Sequence, residues 1–180
     1  MWYDDTSGRT YVYYDDGSSQ QWVEFGAPPS GIGKILQVVS TAKLDMFSTS
    51  STSFVDITDM SLSITPSSTS SKILVMVMVT VGHSANGSND HIRLVRDSTG
   101  IFITTAGSFQ TGTIEWNNQN AFDVNSAIPF PITYLDSPAS TSTTTYKLQA
   151  KQSNGTLYIN RSGAGSNAGV SSITLMEVAA

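Results

Sequence analysis

The chain has 180 residues, 39% hydrophobic and only 13% charged, with a net charge of −5 and no cysteine. The acidic balance and the lack of any basic run exclude a nucleic-acid-binding surface, whose phosphates demand clustered Lys and Arg. The missing cysteines exclude disulfides, Cys-based zinc sites and thiol catalysis.

The first 29 residues read as a small β-meander. Tyr3-Asp4-Asp5-Thr6-Ser7-Gly8 is echoed by Tyr14-Asp15-Asp16-Gly17-Ser18, and Asp next to Gly favours tight turns that reverse the chain. Strands over Arg9–Tyr14 and Gln20–Phe25, with a first one around Trp2, give three strands carrying Trp2, Tyr11, Tyr13, Trp22 and Phe25. A segment this short is below the roughly 40 residues that an unstapled core needs. Its aromatics, Trp2, Tyr11, Tyr13 and Trp22 in particular, are therefore candidates for docking on another surface. Pro28-Pro29 makes a stiff connector to residues 30–180.

Beyond the connector, strand signals recur between Ser, Thr, Gly, Asn and Pro clusters. The expected strands are Lys34–Ser40, Lys43–Ser48, Phe54–Ile57, Ser61–Thr65, Lys72–Gly82, His91–Arg96 and Gly100–Thr105, then Ala127–Leu135, Thr144–Lys151, Thr156–Arg161 and Ser171–Val178. β-Branched Thr and hydroxyl-rich surfaces favour strands over helices, and no window keeps a 3.6-residue period. The fold class is all-β: the meander followed by a jelly-roll-like antiparallel β-sandwich.

One strand breaks the usual alternation. In Lys72–Gly82, Ile73, Val75, Val77 and Val79 line one face while Leu74, Met76 and Met78 line the other. An antiparallel sheet normally leaves one face polar. Either the chain covers the second face, or Leu74, Met76 and Met78 form a subunit interface in a homo-oligomer, with a trimer favoured.

Signals for chemistry are sparse. Gly31-Ile32-Gly33-Lys34 lacks the spacing of a phosphate loop. His83 and His91 match no metal-ligand spacing, and the Asp4/Asp5 and Asp15/Asp16 pairs read as turn residues before they read as glycosidase or calcium carboxylates. The chain is expected to be no enzyme and to hold no metal and no cofactor. Its longest apolar run, Ile73 to Val79, is too short to span a bilayer, and no secretory signal is visible. The stretch from 106 to 126 mixes an aromatic with amides, a composition suited to sugar or protein surfaces. Trp116, Asn117, Asn118, Asn120 and, from a second loop, Asn167 are the candidate receptor contacts. The competing reading packs Trp116 inward beneath its own loop.

The segment from Trp2-Tyr3-Asp4-Asp5 through Tyr13-Tyr14-Asp15-Asp16-Gly17 to Trp22-Val23-Glu24 resembles a short repeat of virion and tail-fibre proteins of marine phages, cyanophages included. Gly33-Lys34-Ile35-Leu36-Gln37-Val38-Val39-Ser40, Phe54 to Lys72, Arg96-Asp97-Ser98-Thr99, Tyr134-Leu135-Asp136-Ser137-Pro138 and Met176-Glu177-Val178 look like a domain that follows that repeat. The resemblance implies a virion structural protein with a trimeric fibre head or tip, whose expected partners are other virion proteins and a host-surface glycan or protein. It transfers no catalytic residue. In that family the meander follows a longer N-terminal region, whereas here it begins at Met1, which leaves tail and head locations both open. A capsid decoration, head fibre or adaptor without receptor binding is the alternative, and a carbohydrate-active enzyme rests only on the Asp pairs and Trp116.

Overall fold

The computed structural model describes residues 1–6, 9–25, 33–85, 87–105, 111–117, 124–165 and 167–180. The connector around Pro28-Pro29 lies outside them, and so do Asn118 and Asn120. The chain divides into two units, Met1–Lys34 and Ile35–Ala180. Among the described residues there is no helix, as the lack of a 3.6-residue period required.

The first unit is an antiparallel meander of β1 (Trp2–Asp4), β2 (Arg9–Asp15) and β3 (Gln20–Glu24) in the order β1-β2-β3. Its second turn is built by the side chains that predicted it. Asp15 Oδ1 accepts from the Gly17 N–H at 2.8 Å, Asp16 Oδ1 accepts from the N–H groups of Ser18 and Ser19, and Gly17 sits at φ 82°.

The second unit holds β4 (Ile35–Lys43), β5 (Phe47–Thr49), β6 (Val55–Ile64), β7 (Lys72–His83), β8 (Asn89–Arg96), β9 (Thr99–Ile101), β10 (Ile114–Asn117), β11 (Ile128–Asp136), β12 (Thr144–Gln152), β13 (Leu157–Ile159) and β14 (Ser171–Val178). Two antiparallel sheets result. In one, β4 and β5 share an edge column, β14 and β13 share the next, and β7 and then β11 follow. In the other the order is β6, β12, β8, with β10 and β9 sharing the far column. The chain crosses between sheets at every step from β5 to β8, returns within the second sheet to β9 and β10, and then crosses again at β11, β12 and β13. This is a jelly roll, two Greek keys wound into eight columns.

The inward residues form one core. Ile73, Val75, Val79, Ile92, Leu94, Tyr146, Leu148, Leu157, Ile159, Ile173 and Leu175 are fully buried. Leu157 and Ile159 share the inner face, as their spacing demands.

Several strand boundaries differ from the expected ones for local reasons. Lys34–Ser40 and Lys43–Ser48 become one long strand and a short one. Ser40 stays in the sheet because its hydroxyl bonds Thr174 Oγ1 at 2.8 Å, which satisfies a group that otherwise favours turns. Phe54–Ile57 and Ser61–Thr65 fuse into β6 through a bulge. The register passes from Ser61 opposite Lys147 to Asp56 opposite Gln149, with Asp59 at φ 60° and both Ile57 and Met60 buried. β9 ends at Ile101, earlier than Gly100–Thr105 predicted. β10 carries no expectation at all: four residues among amides and glycines give too little period to read.

Candidate assembly surfaces

The outer face of the first sheet is the part of the molecule where sequence and fold disagree most with an ordinary soluble surface. Strand register places its residues in three rows across four strands. Val38, Met176, Leu74 and Leu135 form one row; Ser40, Thr174, Met76 and Thr133 the next; Ala42, Ser172, Met78 and Pro131 the third. None of these twelve side chains is charged. Met76 and Met78 keep 42% and 41% of their surface accessible, and Val38 and Leu135 are exposed beside them, while Leu74 is half-buried. The two-sided β7 is therefore a central strand whose inner face is core and whose second face no described part of the second unit covers. Val38 and Leu135 belong to the surface but were not singled out from the sequence. The adjacent pairs Ile35-Leu36 and Val38-Val39 are the signs of a strand apolar on both sides.

The outer face of the second sheet has the opposite character. Lys147 pairs with Asp56 at 2.8 Å, Arg93 Nε donates to Gln149 at 2.7 Å, and the Arg93 guanidinium lies 4.0 Å above the Phe54 ring with Lys151 Nζ at 4.8 Å. His91 Nδ1 stands 3.2 Å from Glu115 Oε1 on this side. His83 is buried on β7. No group of three or more metal-binding side chains exists among the described residues.

The meander carries aromatics on both faces. Trp2, Tyr11, Tyr13 and Trp22 share one, linked by ring contacts of 5.4 Å (Trp2–Tyr11), 6.5 Å (Trp2–Trp22) and 5.3 Å (Tyr13–Trp22). Tyr3, Val12, Tyr14, Val23 and Phe25 share the other, where Val12, Tyr14, Val23 and Phe25 line an apolar concavity. Trp2 and Trp22 are each 52% exposed. The Asp pair at the second turn is occupied by that turn. Asp16 is held down to about 2, first by the Ser18 hydroxyl and then by the N–H groups of Ser18 and Ser19.

Of the predicted receptor contacts, Trp116, Asn117 and Asn167 belong to the described residues. Trp116 lies on β10, half-buried, with its ring stacked on Phe130 of the opposite sheet at 5.2 Å and 25°. Phe102 stacks on Tyr134 at 4.7 Å along the same side of the sandwich. These two stacks close the sandwich where β9 and β10 face β11, so the inward packing of Trp116 is what the geometry shows. Asn117 continues β10. Asn167 is exposed, yet its amide donates to the Asn125 carbonyl and its backbone bonds Ser162 in both directions, so it ties two loops together. Asn160, inside the expected strand Thr156–Arg161, lies just past β13 and is buried at φ 64°. It donates to the Lys43 and Asp45 carbonyls at 2.8 and 2.9 Å and accepts from Ser171 Oγ at 2.6 Å.

A small polar group sits inside one end of the sandwich. Asp90 and Gln152 lie directly opposite each other on β8 and β12, both turned inward. Asp90 is 1% exposed, and its Oδ1 accepts from Ser88 Oγ at 2.8 Å while Oδ2 has no hydrogen-bond partner. Gln152 Nε2 is committed to the Gly155 carbonyl at 2.8 Å, which leaves its Oε1 without a donor. Burial raises the Asp90 carboxyl above its ordinary value, against the pull of the Ser88 hydrogen bond and of His83 and His91.

No family model matches the chain, and no curated protein matches it. Among solved structures it is similar to chains of infectious bursal disease virus. The Gx strain gives 18% identity over 88% of this chain and 43% of that one, with a TM-score of 0.42. The Gt strain gives 15% identity over 93% and 42%, with a TM-score of 0.40. The VP2 subviral particle of the same virus gives 17% identity over 94% and 43%, with a TM-score of 0.33. This chain thus spans less than half the length of those it matches. At such low scores the jelly roll rests on the strand register, not on the likeness.

Proposed function

We propose that this chain is a non-enzymatic structural protein of a phage virion, a tail-fibre or tail-tip component that assembles as a homotrimer and takes part in attachment to the host surface. The observation that carries the reading is the set of three uncharged rows on the outer face of the first sheet. An exposed strand with Met76 and Met78 flanked by Val38 and Leu135 is what a subunit contact looks like before its partner arrives. The phage setting, the trimer and the host contact rest on the resemblance of the meander and of the segments that follow it. A second reading, a head decoration or adaptor that binds no receptor, is favoured by the meander. A three-stranded sheet with aromatics on both faces suits insertion into another virion protein.

Light scattering of the full chain at micromolar concentration tests the assembly. A mass that is a multiple of three chains is expected, falling to smaller species in Met76→Lys/Met78→Lys with an unchanged far-UV spectrum; a stable wild-type monomer overturns it. Imaging of intact particles carrying a label on this chain separates tail from head.

A further inference from the structure

The free edges of the two sheets are not alike, and the difference identifies a second contact. In an antiparallel pair each residue turns both its N–H and its C=O either toward the neighbouring strand or away from it. On β11, Pro129 and Pro131 stand opposite Thr80 and Met78. Proline has no N–H to give, so these positions face the open edge. Thr80 accordingly points the other way: its N–H meets Ser171 Oγ at 3.0 Å and its carbonyl accepts the Asn160 N–H at 2.8 Å. Met78 shares that sense and opposes Ser172, so Ile173 on β14 points toward β4, where its carbonyl accepts from Ser40 Oγ. Thr41, opposite Ile173, points back at β14. The backbone groups of Val38, Ser40 and Ala42 are then left facing outward. No hydrogen bond within the described chain engages them.

Elsewhere along the edges of the second unit's two sheets, pairing is hindered. β11 lacks two outward donors at its prolines. β6 is broken by its bulge, with Asp59 at φ 60°. The edge beyond β8 is split into β9 of three residues and β10 of four. Natural sheets blunt open edges in these ways, and a long uncovered one is a template for another strand. β4 keeps Gln37–Lys43 in regular register on β14 without proline, its one irregularity lying at Leu36, between the Gln37–Glu177 and Ile35–Val178 pairs. Its one charged side chain, Lys43, is turned inward and buried against Asp45 Oδ1 at 2.7 Å and Thr58 Oγ1 at 3.2 Å.

We propose that β4 pairs edge to edge with β4 of a second copy, antiparallel about a two-fold axis, so that the first sheets of two chains run on as one. Among the edges of the second unit's two sheets, β4 is the long one left without such a device along Gln37–Lys43, so β4 against β4 is the pairing that closes about a two-fold axis. Centred on Ser40, the register sets Ser40 against Ser40 and Val38 against Ala42, joined by about six backbone hydrogen bonds. It also carries the exposed Leu44 toward the partner's Leu36 end. No like charges meet at the seam, which matters for a chain of net charge −5. The proposal rests on the self-association argued above but uses a different element from the Met76/Met78 face.

The test is amide hydrogen exchange on the full chain, read beside its mass in solution. The Ser40 and Ala42 amides are expected to be protected, increasingly so as concentration rises. Ser40→Pro, which copies the device of β11 at a position whose N–H β14 does not use, should halve the assembled mass and leave the fold intact. Ser40→Lys, with an exposed side chain that sets like charges opposite each other, should do the same if the proline variant does not fold. Met76→Lys/Met78→Lys should leave the protection unchanged. A trimer whose β4 amides exchange freely overturns the edge pairing and spares the face, whereas dimers that ignore the methionine substitutions overturn the face and spare the edge. Protection that appears only when another virion protein is added replaces the second copy with an unlike strand and overturns the proposal.

Discussion

Two buried carboxylates show how position in the fold sets opposite responses to pH. Glu177 is buried, which pushes its carboxyl up, but hydrogen bonds from Ser67, Gln37 and Ser71 outweigh this and bring it down to about 2. Its oxygens accept from the Ser67 N–H and hydroxyl at 2.7 and 2.6 Å and from Gln37 Nε2 at 2.6 Å. Because the folded value lies below the ordinary 4.5, the stabilisation is complete above 4.5 and fades as the pH falls from there toward 2. Glu177→Gln should cost about 1–3 kcal/mol near neutral pH, and the difference from wild type should vanish in an acid titration followed by circular dichroism. Asp90 works the other way. Its value is raised by burial, so its contribution is complete below the ordinary 3.8 and is lost as the pH climbs through the raised value. Asp90→Asn removes the buried charge and supplies a donor for Gln152 Oε1. It should raise the melting temperature near neutral pH, by about 1 kcal/mol in stability, and leave it little changed in acid.

At the scale of elements, the end of β7 depends on close backbone approach. A Cβ on Gly163 would fall 1.9 Å from the His83 carbonyl oxygen, and one on Gly82 would fall 2.3 Å from that of Arg161. Neither clash can be relieved by turning a side chain, because the obstacle is backbone. Gly163→Ala should therefore destabilise by about 1–3 kcal/mol or more in chemical denaturation, although the residue sits in a stretch that reads as a plain flexible loop. The long strands were legible because they alternate: β12 and β14 start and end within a residue of where the sequence placed them. β6 was read as two strands because its Thr58-Asp59 step looks like a turn, and it takes the buried Ile57 and Met60 on either side to make that step a bulge. β10 was not legible, since Trp116 gains its place from Phe130 on another sheet.

At the scale of the molecule, the second unit is two sheets held by one apolar core and tied at the β11 end by a buried polar contact. Arg96 Nη1 reaches both oxygens of Asp136, at 3.0 and 2.8 Å, and the Tyr146 hydroxyl donates to the same carboxylate at 2.7 Å. Asp136 belongs to one sheet, Arg96 and Tyr146 to the other. Nothing in the spacing of residues 96, 136 and 146 announces this contact, because it exists only after the chain has crossed between sheets. The two outer faces carry the functional contrast. One holds Lys147, Arg93, Lys151, Asp56 and Glu115; the other holds three charge-free rows of Val, Leu, Met, Ser, Thr, Ala and Pro, with Lys72 beyond them at the start of β7.

By itself the sequence determined the class of fold, because a period of two is written directly in which side chains are apolar. It determined the second turn of the meander, because Asp and Gly act through their own backbone, and it marked Leu74, Met76 and Met78 as out of place on a wetted face. Tertiary structure decided which strands became neighbours, and with that which residues from β4, β7, β11 and β14 share one surface. It also decided that Trp116 faces inward and that β4 keeps its backbone groups free. Pairing and handed crossover between sheets join residues far apart in the chain, and no local pattern encodes them.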